Sequence, residues 1–305
     1  MTNSGKILVL GPTGNVGSVL IPRLTAMGAD FRALVRDEPS ETSKVQALKD
    51  AGVELFYGDL NNLDTLHEAF KGVAKVFLLT TPGPNGGAMA SNAIAAAKQS
   101  GNPHVVNLSV AKARSDHPSR FGREHGETDT ELMESGLPYT FIRAICFMQN
   151  TLPAAQTVAS QGTIFMPMKN GKVGMIDARD VAEAVAMVLT SDGHEGKSYL
   201  LTGPDSISIQ DVANTLSKVL GKEVRYVDVP PAAAKDAMLG MGMPEWIADG
   251  IIELAGALSE GLGDYTTDDL EKLTGHRAGS YEAFARDFAQ VFGGVDQRAR
   301  STSAT

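Results

Sequence analysis

Three glycines spaced at every third position in GlyProThrGlyAsnValGly, residues 11–17, are the first residues in the chain able to do chemistry as a group. The first permits a tight turn, the second lets backbone approach a pyrophosphate, and the third lets a helix pack closely on a strand. A helix starting there turns unpaired N–H groups and its positive dipole end toward an anion. The candidate cradle is Gly11, Thr13, Gly14, Asn15, Val16 and Gly17, and its chemistry is dinucleotide binding. LeuValArg at 34–36 closes the next strand-like run. An NAD-preferring site commonly sets a carboxylate there, whereas the Arg36 guanidinium suits a 2′-phosphate. The expected cofactor is NADPH or NADP, with NAD second. If Arg36 is only a solvated charge, Asp37 takes the ribose instead. Arg32 is a weaker candidate, because strand alternation can turn it elsewhere.

Other candidates follow the same strand ends. GlyAspLeu at 58–60 offers Asp59 to an adenine amino group and Leu60 to the ring, although Asp59 equally suits the capping of a turn. ThrThrProGlyPro at 80–84 places Thr80, Thr81 and Pro82 where cofactors gather, or forms a plain strand-to-helix loop. Phe147 and Met148 open an aromatic-friendly pocket that Met166, Met168 and Met175 would extend, with core packing the competing reading. Asp177 and Asp180 suit the capping of a helix, not a catalytic pair. The histidines show no metal-binding spacing, and Cys146, the only cysteine, is read as buried and unreactive.

Positioning these groups takes a regular scaffold. Apolar runs at Lys6–Leu10, Phe31–Val35, Val53–Tyr57, Lys75–Thr80, His104–Leu108 and Tyr139–Arg143 alternate with helix-length stretches. That rhythm predicts an α/β fold, a Rossmann-type doubly wound parallel sheet with strands covered on both faces. After about residue 150 the alternation loosens into a smaller, mainly helical C-terminal lobe. The expected division is 1–150 for cofactor binding with 172–200 packing back on it, 151–171 and 201–293 for the substrate lobe, and 294–305 as a flexible tail.

A net charge of −9 argues against a surface built to track nucleic acid and leaves room only for a local basic patch. No uncharged apolar run nears the roughly 18 residues of a membrane span, and one cysteine allows no intrachain disulfide. A cytoplasmic protein, monomeric or homodimeric, acting on a small-molecule electron acceptor is the expectation.

GPTGNVG at 11–17, ALVR at 33–36, GDL at 58–60 and EHGETDTELMESGLPYTFIRAICFMQN at 124–150 together resemble the NmrA-like branch of the atypical short-chain dehydrogenase/reductases. Similarity continues through IDARDVAEAVAMVLT at 176–190 and LLTGP at 200–204. The resemblance implies an NADP-binding domain and a small lobe closing a substrate cleft, in a family that holds quinone reductases, triphenylmethane-dye reductases and nucleotide-sensing regulators. It also implies a serine at the end of the fifth strand, which Ser109 matches, and a tyrosine and lysine four residues apart on the next helix.

Here the sequence departs from the pattern. Phe121 and His125 fall at those two positions, Arg123 or Glu124 replaces His125 under a small slip, and no tyrosine occurs between Tyr57 and Tyr139. Reducing an ordinary ketone needs a placed acid for the developing alkoxide, which counts against an alcohol dehydrogenase or sugar-nucleotide epimerase. A quinone, dye or activated carbonyl spreads that charge itself. The chain is therefore read as an NADPH-dependent oxidoreductase of conjugated acceptors. Ser109 and His125 line its reacting end, and Phe121, Phe147 and Met148 line the substrate. His125 serves either as an acid titrating near neutrality or as a cofactor contact. The alternative is a non-catalytic NADP(H)-sensing regulator.

Overall fold

The computed structural model describes residues 5–36 and 42–293. In chain order the first elements are β1 (Lys6–Leu10), α1 (Gly17–Ala26), β2 (Phe31–Val35), α2 (Ser43–Asp50), β3 (Glu54–Tyr57), α3 (His67–Phe70), β4 (Val73–Leu78), α4 (Gly86–Gln99), β5 (His104–Val110), α5 (Arg120–Glu134) and β6 (Tyr139–Ala144). They continue with α6 (Ala155–Gln161), β7 (Thr163–Met166), β8 (Lys172–Val173), α7 (Ala178–Thr190), β9 (Lys197–Leu201), β10 (Ile207–Ser208), α8 (Ile209–Leu220) and β11 (Arg225–Asp228). The last five are α9 (Pro231–Gly240), α10 (Glu245–Ser259), α11 (Asp269–Thr274), α12 (Tyr281–Asp287) and α13 (Ala289–Phe292).

Two compact units emerge. The first comprises the described parts of Met1–Ala144 with Ala178–Leu201 and Asp269–His276. The chain thus leaves it at 145, where sequence had set 150, and α11 returns to it late. Seven strands form its sheet in the order β3-β2-β1-β4-β5-β6-β9, every pairing parallel. Continuous apolar strands produce this arrangement because both faces are covered. On one face Leu8, Val76 and Val105 pack with Phe70 of α3, Ile94 of α4 and Leu132 of α5. Helices α1 and α7 pack together within the same unit, burying Leu20, Leu24, Val181 and Val185. Five small residues of α4 (Gly86, Ala90, Ala93, Ala96, Ala97) are buried.

The strand expected over Lys75–Thr80 ends at Leu78, because the next residue, Leu79, leaves the ladder and packs on the turn after β1. Lys75, though in mid-strand, is buried and reaches the Val188 carbonyl at 3.2 Å and that of Ser191.

The second unit comprises Ile145–Asp177, Thr202–Asp268 and the described part of Arg277–Thr305. It holds two small sheets, β8 with β10 antiparallel and β7 with β11 parallel, among six helices. Its core gathers Met148, Val158, Met168, Met175, Leu216 and Phe284. Among the described residues no helix is long and apolar enough to cross a membrane.

Candidate dinucleotide and acceptor site

In this sheet the strand order reverses between β1 and β4, and ligands of open α/β sheets bind beyond the carboxyl ends of strands at such a point. The turn after β1 stands there. Gly11 has φ +67°, and a side chain on it would meet Leu79 Cδ2 at 3.2 Å. At Gly17 a methyl group would overlap the Gly11 carbonyl and lie 2.8 Å from Pro12 Cα. Backbone conformation therefore requires the first glycine, and packing requires the third.

Gly14 is different. Its φ is not in the left-handed region, and the atom nearest an added Cβ is the Gly11 oxygen at 3.5 Å. Nothing inside the protein calls for glycine at 14, and Gly14 and Asn15 are exposed. A ligand approaching the outer side of the turn would call for it. In the first turn of α1, Ser18 N donates to the Gly14 carbonyl at 2.9 Å and Val19 N to that of Val16 at 3.1 Å, and Val16 at the cap supplies no side-chain acceptor, so the backbone N–H groups offered to an anion are those of the turn leading into the helix. The cradle fits a pyrophosphate.

Strand β2 pairs Leu34 with Leu10, so the exposed Arg36 stands two residues past that pair, on the same sheet edge as the turn. Asp37 lies outside the described residues. Arg32 has no part in this edge: it is buried, donates to the Lys71 carbonyl and stacks 4.7 Å from the Phe56 ring centre. Sequence reasoning missed Lys44. From the first turn of α2, whose Thr42 cap accepts from Val45 N, its Nζ donates to the Thr13 carbonyl at 3.1 Å. A capping threonine seven positions past the second strand was the signal available.

Asp59 takes its capping role. Its Oδ1 accepts from Asn61 N and Asn61 Nδ2, both at 2.9 Å. Leu60 packs on the core, and its carbonyl accepts from Asn92 Nδ2 at 2.8 Å. Thr80 is half-buried beyond β4, while Thr81 and Pro82 are exposed.

Helix α5 crosses the same region. Gly122 and Gly126 open one side of it: a methyl group at either would strike the His117 ring or the Arg114 backbone. Asp129 is buried and accepts from Ser109 Oγ at 2.8 Å, Asn107 Nδ2 at 3.0 Å and Arg143 Nη2 at 2.9 Å. Burial raises its carboxyl to about 6 against the pull of these donors. Ser109, 1% exposed, thus gives its hydroxyl to Asp129 and turns none of it outward, which corrects the expectation that it lines the reacting end.

Phe121 and His125 are half-buried on α5. Desolvation pushes the His125 imidazole down to about 4, so near neutrality it is an uncharged ring and not the ready acid that its ordinary value suggests. The neighbouring Glu124 titrates near neutrality: burial, then Glu127, raise its carboxyl to about 7.

In the second unit Phe147 is half-buried and bridges to Ile176. Met148 is 1% exposed in the core with Met168 and Met175, so these three fill the interior instead of lining a pocket. Met166 packs half-buried against them. Asp177 accepts from Gln149 Nε2 at 2.8 Å, and Asp180 sits in the first turn of α7. Cys146 is unpaired.

Comparison with known proteins gives a consistent picture. The sequence profile of the NmrA-like family matches residues 3–281. An NAD(P)H azoreductase of Xenophilus azovorans is 40% identical over 94% of this chain and 99% of its own length. The NADPH complex of an NADPH-dependent quinone oxidoreductase from Escherichia coli superposes with TM-score 0.84 at 28% identity, covering 93% of this chain and 99% of that one. The NADP(H) complex of Citrobacter sp. triphenylmethane reductase does so with TM-score 0.81 at 28% identity, covering 92% and 99%.

Proposed function

The chain belongs to the NmrA-like family, and on that premise we propose that it is an NADPH-dependent reductase of flat, conjugated acceptors, with azo dyes and quinones the first to try. The observation that carries this reading is Gly14, a glycine that neither strain nor packing demands, at the reversal point of the sheet. Relatives named for NAD(P)H and for dye or quinone reduction support the choice of cofactor and acceptor.

Bound NADPH would supply the hydride. Everything else falls to the chain. The backbone of the 11–17 turn, leading into the N-terminus of α1, holds the pyrophosphate, and Arg36 and Lys44 answer the 2′-phosphate. Thr80, Thr81 and Pro82 flank the cofactor from the loop after β4. Phe121 offers an apolar surface, and neutral His125 donates one hydrogen bond without delivering a proton. Since α5 carries no tyrosine, the acceptor must delocalise the incoming charge and take its proton from solvent, a demand that azo and quinone groups meet and isolated ketones do not. Catalysis rests on proximity and orientation.

NADPH oxidation measured against azo dyes, quinones, cationic triphenylmethane dyes and simple ketones tests the reading. Rates that saturate in a conjugated acceptor are expected, with simple ketones inert. Tight NADPH binding without turnover on any acceptor would reject a reductase in favour of a nucleotide sensor.

A further inference from the structure

Helix α4 lacks a cap of its own. Asn85 at its N-cap makes no side-chain capping bond, and the first turn carries no acidic residue. The carboxylate that stands there comes from α5. Glu124 lies so close over Gly86 that a methyl group on that residue would overlap its Oε1, with Cδ at 2.7 Å. The same carboxylate accepts the N–H of Gly83. Gly83 is held on its other side as well, its carbonyl accepting from Gly86 N at 2.9 Å.

We propose that Glu124 is a positioning residue that ties the Thr80–Asn85 loop to α5 and so sets the loop's posture for the cofactor; this rests on the NADPH reading given above. A carboxylate at a helix N-terminus meets orphan N–H groups and the positive dipole end. The half-buried placement makes that tie specific, since water competes poorly for the Gly83 N–H. Glycine at 86 lets the carboxylate approach this closely. Its φ is not in the left-handed region, so a side chain there would meet no backbone strain but would push the Glu124 carboxylate aside and break the tie. The carboxyl's elevation to about 7, caused by burial and Glu127 and opposed by the Gly83 N–H, agrees with a desolvated group held by few donors. Residues 80–85 and the first turn of α4 contribute no titratable side chain.

Two measurements on the full-length protein test the proposal. Without cofactor, amide exchange in the peptide spanning Leu79–Gly87 should speed up about tenfold in Glu124→Ala and much less in Glu124→Gln, which keeps an acceptor. With cofactor, Glu124→Ala should raise KM for NADPH about tenfold and leave kcat within about twofold, and Glu124→Gln should recover most of that KM. Gly86→Ala should behave like Glu124→Ala, and the double variant should be no worse than Glu124→Ala, because removing the carboxylate makes room for the methyl group. Unchanged exchange, or additive effects in the double variant, would overturn the tie. Altered exchange with an unchanged NADPH KM would overturn its role in cofactor placement. A wild-type protein that ignores NADPH, with exchange still dependent on Glu124, would sink the reductase reading and leave the tie standing.

Discussion

Ser109 donates its hydroxyl to Asp129 across 2.8 Å, joining the penultimate residue of β5 to the buried side of α5. The bond makes a residue that the family pattern marks for catalysis into part of a buried network with Asn107 and Arg143. Ser109→Ala should therefore lower stability by about 1 kcal/mol while leaving kcat within about threefold of wild type. Denaturant unfolding and steady-state kinetics on the same preparation decide it. A large loss of kcat at unchanged stability would return Ser109 to the chemistry.

The glycines of the turn separate into two kinds. Gly17→Ala puts a methyl group into the Gly11 carbonyl and should unfold or strongly destabilise the first unit. Gly14→Ala should leave the melting temperature almost unmoved and weaken NADPH about tenfold or more. Thermal melts and fluorescence titration check both, and a Gly14→Ala protein with normal NADPH affinity would show that nothing approaches the turn there.

Arg36 and Lys44 should discriminate between cofactors. A charge-assisted bond to phosphate is worth about 1.5–3 kcal/mol, so Arg36→Ala should weaken NADPH by roughly 10- to 100-fold and NADH little. Lys44→Ala should have a smaller effect of the same kind, since its ammonium also serves the Thr13 carbonyl. Equal losses for the two cofactors would remove the 2′-phosphate assignment.

His104 makes a pH-dependent contribution with a definite sign. Burial lowers its imidazole to about 4 from 6.5, and Nε2 is taken up by Thr140 Oγ1 at 2.8 Å. Between those values the unfolded chain binds more protons than the native one, so this stability is full above pH 6.5 and is lost as pH falls toward 4. Relative to His104→Gln, wild type should lose about 2 kcal/mol between pH 7.5 and pH 5. Asp129 runs the other way. With its carboxyl raised to about 6 from 3.8, the native state holds the extra proton, and wild type should gain on Asp129→Asn as pH falls over the same range. Unfolding curves at the two pH values read both signs.

Much of the first unit was legible because its signals are local. Lys6–Leu10 and Phe31–Val35 are strands over the residues that their apolar runs mark, and the glycine spacing located the turn. What escaped depends on contacts between distant segments. That Met148 is core, that Arg32 turns to Lys71 and that Ser109 meets Asp129 are decided by what packs opposite, which periodicity does not encode. Lys44 and Glu124 were hidden for the same reason: each acts on backbone far away in sequence, at Thr13 and at Gly83.

The state of Cys146 bears on how such a protein survives its own acceptors. Quinones are soft electrophiles that arylate thiolates, and a protein reducing them meets that hazard at every turnover. Burial lifts the Cys146 thiol to about 12, which leaves a thiolate fraction at pH 7 on the order of 10⁻⁵. A thiol held so far toward its protonated form is a slow partner in Michael addition and in disulfide exchange, so packing lends the chain's one sulfhydryl chemical durability.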